Sequence, residues 1–250
     1  MSEARIYIDM PLVTGQELRL GAASANHLAN VLRRREGAPV VLFNGLGGEY
    51  HGCLTLVRKK EVRVKLDTFI DENRASPLRV HLGQVMIKGE RMDYALQKAT
   101  ELGVGEITPL VSERCEVRLK GDRLHKKVSH WQRVVQSACE QCQSNLVPKV
   151  NMPQSVQSWL AEREETLRWV CHPRLDELAV EQDSTLRDSG AQHVDSAALF
   201  IGAEGGLTKE EVMQACEVHF IPQLFGPRVL RAETAPLVAL SLLQMHFGDY

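Results

Sequence analysis

The chain has 250 residues, of which 44% are hydrophobic and 25% are charged, a composition typical of a folded globular protein. No apolar run reaches the roughly 18 residues that a membrane helix requires, and the first residues lack the basic-then-apolar pattern of a secretory signal. We therefore expect a cytoplasmic protein with one large domain or two ordinary ones.

The charges are distributed unevenly along the chain. The first 150 residues contain 23 Lys and Arg against 17 Asp and Glu, whereas the last 100 contain 7 against 15. This asymmetry predicts separate surfaces, with the basic one facing a phosphate backbone. Ordinary solvated faces would produce the same counts, so charge alone leaves both interpretations open.

Residues 1–72 have the pattern of a small β domain. Segments 5–8, 40–43, 50–57 and 61–69 are rich in β-branched and aromatic residues and are separated by turn signals, which predicts four strands. A helix is predicted between the first two, at 24–32. A compact β-barrel is the expected arrangement because closing a sheet removes its exposed edges.

Residues 77–250 follow the polar segment 71–77, which predicts the domain boundary, and alternate between strand and helix patterns. This alternation predicts an α/β domain with a mainly parallel sheet. The predicted strands are 80–86, 107–111, 167–171, 198–202 and 223–226, and the predicted helices are 92–102, 124–142, 209–217 and 236–247.

A glycine-rich segment at 199–211 predicts a strand, a tight turn and a helix in succession. Thr208 is the expected N-cap of the helix, and Glu211 three residues later completes a capping box. Glycines at the carboxyl end of a strand let backbone approach a ligand, and open α/β sheets bind ligands at that edge. Without a ligand the segment would simply be a tight turn.

A second segment, at 224–236, repeats the pattern of strand, glycine turn and helix start. Gly226 is followed by Arg228 and Arg231, and Thr234 is a candidate N-cap before Pro236. Two such turns close in sequence predict one shared crevice, to which the helix N-terminus adds a partial positive field.

These two segments resemble a known family. Ile201-Gly202-Ala203-Glu204-Gly205-Gly206-Leu207 and Gly226-Pro227-Arg228-Val229-Leu230-Arg231-Ala232-Glu233-Thr234-Ala235 are similar to the signature motifs of the small-subunit (16S) rRNA uridine-N3 methyltransferases, which belong to the trefoil-knotted SPOUT group. Further matching segments at 81–92, 97–104, 109–115 and 138–142 extend the resemblance over nearly the whole chain. One departure is Ala203, where the family usually has Pro, and this loosens the turn.

The resemblance implies a PUA-like, RNA-binding β-barrel at 1–72 and a SPOUT methyltransferase domain with a deep C-terminal trefoil knot at 77–250. It implies a homodimer that binds S-adenosylmethionine and methylates N3 of a uridine in 16S rRNA of the small ribosomal subunit. The cofactor-binding residues that it implies are His172, Pro173, Ile201, Gly202, Glu204, Gly205, Gly206, Leu224, Gly226, Val229 and Leu230.

The reaction at uracil N3 requires loss of the N3 proton. A cation near a uracil carbonyl would stabilise the resulting negative charge, and a carboxylate or water would accept the proton. Arg231 and Glu233 are the candidates for these two roles. Alternatively, Arg231 pairs with Glu233 or Glu204 and only braces the loop, and Glu204 is expected to orient loop backbone.

Other basic residues are candidates for RNA contact, although each group alone also fits a solvated turn. They are Arg33, Arg34, Arg35, Arg58, Lys59, Lys60, Arg114 and Arg118. No metal site is expected, because Cys139 and Cys142 have no second pair of ligands nearby in sequence and fit the apolar face of a helix. Trp131 and Trp159 are expected in the core.

Two other functions remain open from the sequence. A ribose 2′-O RNA methyltransferase of the same fold would show similar glycine turns. A non-catalytic rRNA-binding assembly factor could retain the fold without the chemistry. The intact turns and Arg231 argue against the second of these.

Overall fold

The computed structural model describes residues 3–58, 61–172 and 194–250, which form two compact units. The first unit comprises residues 1–75 with 139–147, and the second comprises 76–138 with 148–250. The segment 139–147 falls in the first unit, whereas the sequence placed it in the second domain. Two hydrogen bonds explain this: Arg5 Nη2 donates to Asn145 Oδ1 (2.6 Å), and the backbone N–H of Tyr7 donates to Glu140 Oε1 (2.9 Å).

The first unit contains one five-stranded sheet in the order β1-β3-β4-β5-β2. Its strands are β1 (Ala4–Tyr7), β2 (Glu17–Arg19), β3 (Pro39–Phe43), β4 (Glu49–Arg58) and β5 (Glu61–Ile70). The four predicted strands are confirmed, and β1 lies parallel to β3 while the other pairs are antiparallel. The sequence missed β2, which has three residues and therefore too little alternation to detect.

The helix predicted at 24–32 is divided into two parts. It begins as α1 (Ala22–Asn26) and continues as a π-helical turn (His27–Val31). The turn ends at Arg33, whose φ of 51° is in the left-handed region that glycine usually occupies after a helix. The N–H of Arg34 then donates to the Leu28 carbonyl (2.9 Å), closing the helix end.

The second unit contains a parallel sheet in the order β12-β10-β11-β6-β7-β8, with β9 also pairing with β7. This confirms the predicted α/β class. The strands are β6 (Arg79–Val85), β7 (Glu106–Val111), β8 (Lys149–Val150), β9 (Gln154–Ser155), β10 (Leu167–Cys171), β11 (Ser196–Ile201) and β12 (Ile221–Gln223). Because all run the same way, β10, β11 and β12 end at one edge.

Five helices complete the description: α2 (Glu90–Glu101), α3 (Asp122–Cys142), α4 (Val156–Ala161), α5 (Lys209–Glu217) and α6 (Ala235–Phe247). The four predicted helices are confirmed, and α4 is additional. Trp131 and Trp159 are buried as predicted, at 1% and 0% exposure. Within the described ranges, no helix combines the length and the apolar character needed to span a membrane.

Candidate functional site

A cavity of about 580 Å³ opens at the carboxyl edge of the parallel sheet. It lies where β10, β11 and β12 end, at Cys171, Ile201 and Gln223, and is lined by residues from the two glycine turns. We call it the carboxyl-edge cavity. The predicted cofactor residues that line it are His172, Ile201, Gly202, Glu204, Gly205, Gly206, Leu224, Val229 and Leu230. Gly226 belongs to the second turn without lining the cavity, and Pro173 lies outside the described residues.

The first glycine turn (residues 202–206) is tight. Gly206 has a φ of 69°, and its N–H donates to the Ala203 carbonyl (2.9 Å). A Cβ added to Gly202 would lie 3.1 Å from the backbone of Gly206, closer than a side chain normally packs. The turn therefore requires glycine for its own geometry at these two positions.

The helix that follows this turn begins with the predicted capping box. Thr208 Oγ1 accepts from the Glu211 N–H (3.1 Å), and Glu211 Oε2 accepts from the Thr208 N–H (2.9 Å). Both residues are nearly buried. The box fixes the direction in which the chain leaves the cavity wall.

The second turn (residues 224–231) follows β12, which ends at Gln223, three residues earlier than predicted. Gly226 has a φ of 78°, and Val229 is 71% exposed. Thr234 is the N-cap residue of the next helix, as predicted, but its side chain makes no capping hydrogen bond. Its backbone is already helical and its hydroxyl caps nothing; instead, the N–H groups of Thr234 and Ala235 donate to the Arg231 carbonyl at 2.9 and 3.0 Å.

Arg231 and Glu233 both line the carboxyl-edge cavity. Across the described part of the chain, no ion pair within 4.0 Å joins Arg231 to Glu233 or Glu204, so the bracing alternative has no support. Glu233 Oε2 is buried without a hydrogen-bond partner among the described residues. A buried carboxylate oxygen left in this state is costly, which makes it a candidate for contact with a ligand.

Glu204 has other partners. Its carboxylate pairs with Arg91 (Nη2 to Oε1, 2.6 Å) and accepts from the backbone N–H of Lys88 (3.2 Å). These bonds tie the first glycine turn to the start of α2. The role of Glu204 in orienting loop backbone stays a prediction, and the sequence missed Arg91, which also lines the cavity.

Arg114, predicted as an RNA contact, also lines the cavity. Its Nη1 donates to the carbonyls of Gly205 (3.1 Å) and Leu207 (3.2 Å). A Cβ added to Gly205 would lie 3.2 Å from the Cβ of Arg114, so the arginine stem packs directly on the turn. One feature of the sequence could have placed Arg114 near the cavity: it lies three residues after β7, and β7 ends at the same edge of the sheet as the strands that border the cavity.

Neither Cys139 nor Cys171 is a reactive thiol. Burial raises the pKa of the Cys171 thiol, which lines the cavity, and burial raises the pKa of Cys139 to about 12. Both thiols are therefore neutral at pH 7. In the part of the chain that the structure describes, no three His, Cys, Asp or Glu side chains are grouped to hold a metal ion.

The remaining RNA candidates lie on the surfaces of their own units. Arg33, Arg35 and Arg58 are exposed and Arg34 is half-buried in the first unit, and Arg118 is exposed in the second. Lys59 and Lys60 lie outside the described residues.

Comparisons with known proteins agree with this geometry. A family model described as an RNA methyltransferase domain matches residues 74–244, and one described as an RNA methyltransferase PUA domain matches residues 20–67. The ribosomal RNA small subunit methyltransferase E of Buchnera aphidicola from Acyrthosiphon pisum is 32% identical over 248 residues, covering 98% of this chain and 94% of that protein.

Two solved structures align with this chain over its whole length and over their own whole length. A methyltransferase from Legionella pneumophila, solved with bound S-adenosylmethionine, has a TM-score of 0.92 and 38% identity. The ribosomal RNA small subunit methyltransferase E of Neisseria gonorrhoeae, also bound to S-adenosylmethionine, has a TM-score of 0.86 and 32% identity.

Proposed function

This chain belongs to the RNA methyltransferase family that includes the ribosomal RNA small subunit methyltransferase E proteins, and we propose that it methylates N3 of a uridine in 16S rRNA. S-adenosylmethionine is the proposed methyl donor. The observation that carries the proposal is the carboxyl-edge cavity, built from two glycine turns in a chain that matches two cofactor-bound structures over its whole length.

The cavity fits a cofactor of this size. Its volume of about 580 Å³ is within the range of ligand pockets, roughly 300–1,000 Å³. Gly206, with a φ of 69°, presents bare backbone in the first turn, and Arg231 and Glu233 line the same cavity. S-adenosylmethionine supplies an electrophilic methyl group when bound. The residues proposed to hold it are His172, Pro173, Ile201, Gly202, Glu204, Gly205, Gly206, Leu224, Gly226, Val229 and Leu230.

Arg231 is proposed to stabilise negative charge on the uracil. Its side chain is exposed at the cavity and forms no ion pair in the described ranges, so the guanidinium is available to a carbonyl oxygen of the base. Two aligned donors on a planar fork match such an acceptor better than a point charge does.

Glu233 is proposed to accept the N3 proton. Its Oε2 is buried and unpartnered at the cavity. The two roles are complementary, since one residue removes the proton and the other stabilises the charge that remains.

Substrate RNA is proposed to be gripped mainly by the first unit, as a PUA-like RNA-binding domain spanning residues 1–72. The exposed arginines at 33, 35 and 58 would contact phosphates, together with Arg34, Lys59 and Lys60. Arg118, in the methyltransferase domain at 77–250, is proposed as a separate phosphate contact. Phosphate contacts of this kind provide affinity and orientation without sequence specificity.

We further propose a homodimer, a deep trefoil knot in the C-terminal chain, and a cytoplasmic location beside the ribosome. The dimer is supported by α6, which is apolar around most of its circumference. Leu237, Val238 and Leu242 are only half-buried, and Met245 is 63% exposed. A helix of this composition is stabilised when a second surface covers it.

The test is to incubate the purified protein with S-adenosylmethionine and with 16S rRNA or small subunits from cells lacking it. Nucleoside digestion and mass spectrometry should show 3-methyluridine. A 2′-O-methylated nucleoside would replace the proposed chemistry, and no product despite RNA binding would indicate an assembly factor. The Arg231→Ala variant is the matched control for contaminating activity.

A further inference from the structure

The first glycine turn is held from outside by two arginines. Arg114 donates to the carbonyls of Gly205 and Leu207, at 3.1 and 3.2 Å, and its stem packs on Gly205. Arg91 pairs with the Glu204 carboxylate at 2.6 Å. Nothing in the sequence pattern of the turn requires either arginine, and their contacts to it are made across the fold.

With the two bonds from Arg114, two peptide units of this segment are hydrogen-bonded at both their carbonyl and their N–H group. In the 205–206 plane, the carbonyl accepts from Arg114 while the Gly206 N–H donates to the Ala203 carbonyl (2.9 Å). In the 207–208 plane, the carbonyl accepts from Arg114 while the Thr208 N–H donates to Glu211 (2.9 Å). Because a peptide is planar, bonds at both ends fix the orientation of the whole unit.

Arg114 is itself on an anchored segment. The backbone N–H of Glu113 donates to Glu211 Oε1 (2.9 Å). The next residue, Cys115, is 2% exposed, and its thiol donates to the Met86 carbonyl (3.6 Å). The backbone that carries the Arg114 side chain is therefore held on both sides. A side chain on a fixed backbone can hold another loop in position.

We propose that Arg114 is a positioning residue for the cofactor turn and not an RNA contact, with the Arg91–Glu204 pair as a second support. Glycine loses more conformational freedom on ordering than any other residue, so a glycine-rich turn that is already held in place binds its ligand more tightly. This inference depends on the proposed function, because it assumes that the cavity binds S-adenosylmethionine.

The test compares three variants. Arg114→Ala removes both bonds, and Arg114→Lys retains the charge without the fork. Arg79→Ala is the control, since Arg79 is an exposed arginine at the start of β6, at the opposite edge of the sheet. Calorimetric titration gives the S-adenosylmethionine Kd, steady-state assays give kcat and both KM values, and RNA binding is measured from low to high salt.

We expect Arg114→Ala to raise the cofactor Kd and KM by about tenfold, in line with the loss of charge-assisted hydrogen bonds. At saturating cofactor, kcat and the salt dependence of RNA binding should match the wild type. The cofactor Kd and KM of Arg114→Lys should lie between those of the wild type and those of Arg114→Ala. Arg79→Ala should leave all measured values unchanged. Arg114→Lys also provides the decisive comparison if the alanine variant does not fold.

An Arg114→Ala or Arg114→Lys variant with wild-type cofactor affinity and a shallower salt dependence of RNA binding would overturn the proposal and restore the RNA assignment. Equal loss of cofactor affinity in Arg79→Ala would also overturn it, because the effect would then be general. A wild-type protein that does not bind S-adenosylmethionine would instead contradict the proposed function itself, so the two failures are distinguishable.

Discussion

The parallel sheet of the second unit has a cavity of about 580 Å³ at each of two opposite edges, and arginine and glutamate line both. At the carboxyl edge, Arg231 has no ion pair in the described ranges and Glu233 has a buried oxygen without a partner there. At the amino edge, where β6, β7 and β11 begin, the cavity is lined by residues that include His81, Arg163 and Glu165. We call the second the amino-edge cavity.

Three polar residues of the amino-edge cavity, His81, Arg163 and Glu165, are bonded to each other. Arg163 is stacked over Trp159 (4.8 Å from guanidinium carbon to ring centre), pairs with Glu165 (2.9 Å) and contacts the ring of His81. The other nitrogen of that ring, Nε2, lies 2.8 Å from the Thr108 hydroxyl. Equal volume therefore does not indicate equal function, because His81, Arg163 and Glu165 satisfy one another at the amino edge, whereas Arg231 has no ion pair in the described ranges at the carboxyl edge.

The largest expected effect follows from Arg231→Lys at the carboxyl edge. Cofactor affinity and fold should be retained, while the single-turnover rate should fall by about 10²–10³, the usual size for one lost charge-stabilising donor. Raising the pH should partly restore the rate because more of the uracil is then deprotonated in solution. Arg79→Lys, which changes the exposed arginine of the amino-edge cavity, is the control. Weakened cofactor binding with a normal rate at saturation would assign Arg231 to bracing.

Glu233→Gln should reduce the same rate by about 10², at the lower end for a general base, since water can replace it. Glutamine has nearly the same shape but cannot accept the N3 proton at the buried position. Rates at saturating cofactor and RNA, across pH, measure the effect. A rate within twofold of the wild type would show that the unpartnered oxygen serves another purpose, such as cofactor contact.

Gly205→Val should raise the S-adenosylmethionine Kd by roughly tenfold or more. A side chain here would keep the backbone of the turn away from a ligand, and the structure adds a second reason. A Cβ at this position meets the stem of Arg114 at 3.2 Å, and a β-branched residue would push the turn and its arginine apart. Gly105→Val, at the amino-edge cavity, is the control and should bind normally. Equal affinity in both variants would contradict the required packing of Arg114 on Gly205.

The sequence predicted the features that depend on local pattern. The strands and helices with clear periodicity, the Thr208–Glu211 capping box and both glycine turns are where the residues indicated. It missed β2, β8 and β9, since strands of two or three residues show almost no alternation, and it missed α4, whose six residues make fewer than two helical turns. It also could not assign 139–147 to the first unit, because the bond from Arg5 to Asn145 joins residues 140 positions apart.

In the candidate site too, the sequence predicted the features that depend on local pattern and missed those that depend on contacts across the fold. Glycines and basic residues after strands indicated where the cavity would be. The role of Arg114 and the pairing of Arg91 with Glu204 depend on which side chains the fold brings together. The spacing of residues along the sequence does not show which distant side chains meet. The unpartnered oxygen of Glu233 is likewise a property of its surroundings. The knot rests on the family resemblance alone and stays a prediction.

The smallest effect on catalysis is expected at Glu165, in the amino-edge cavity. Desolvation alone would raise its pKa, but hydrogen bonds and charge from His81 and Arg163 outweigh it and lower the pKa to about 2. Its carboxylate therefore stabilises the folded state fully above the ordinary glutamate pKa of 4.5 that it has in the unfolded chain. That contribution is lost progressively as the pH falls toward 2.

Glu165→Gln should accordingly reduce the free energy of unfolding at pH 7 by about 1–3 kcal/mol, the cost of losing one partner of a largely buried charged pair. Methyl-transfer rate and cofactor Kd at 25 °C should not change, because the amino edge is proposed to be structural. Urea titrations of both proteins from pH 7 to pH 3 provide the measurement, and the difference between them should shrink as the wild-type carboxylate becomes protonated. A difference that is independent of pH would show that the glutamine disturbs packing and not charge. If the methyl-transfer rate falls by more than the loss of folded protein explains, the two edges of the sheet are coupled. The amino-edge cavity would then contribute to catalysis.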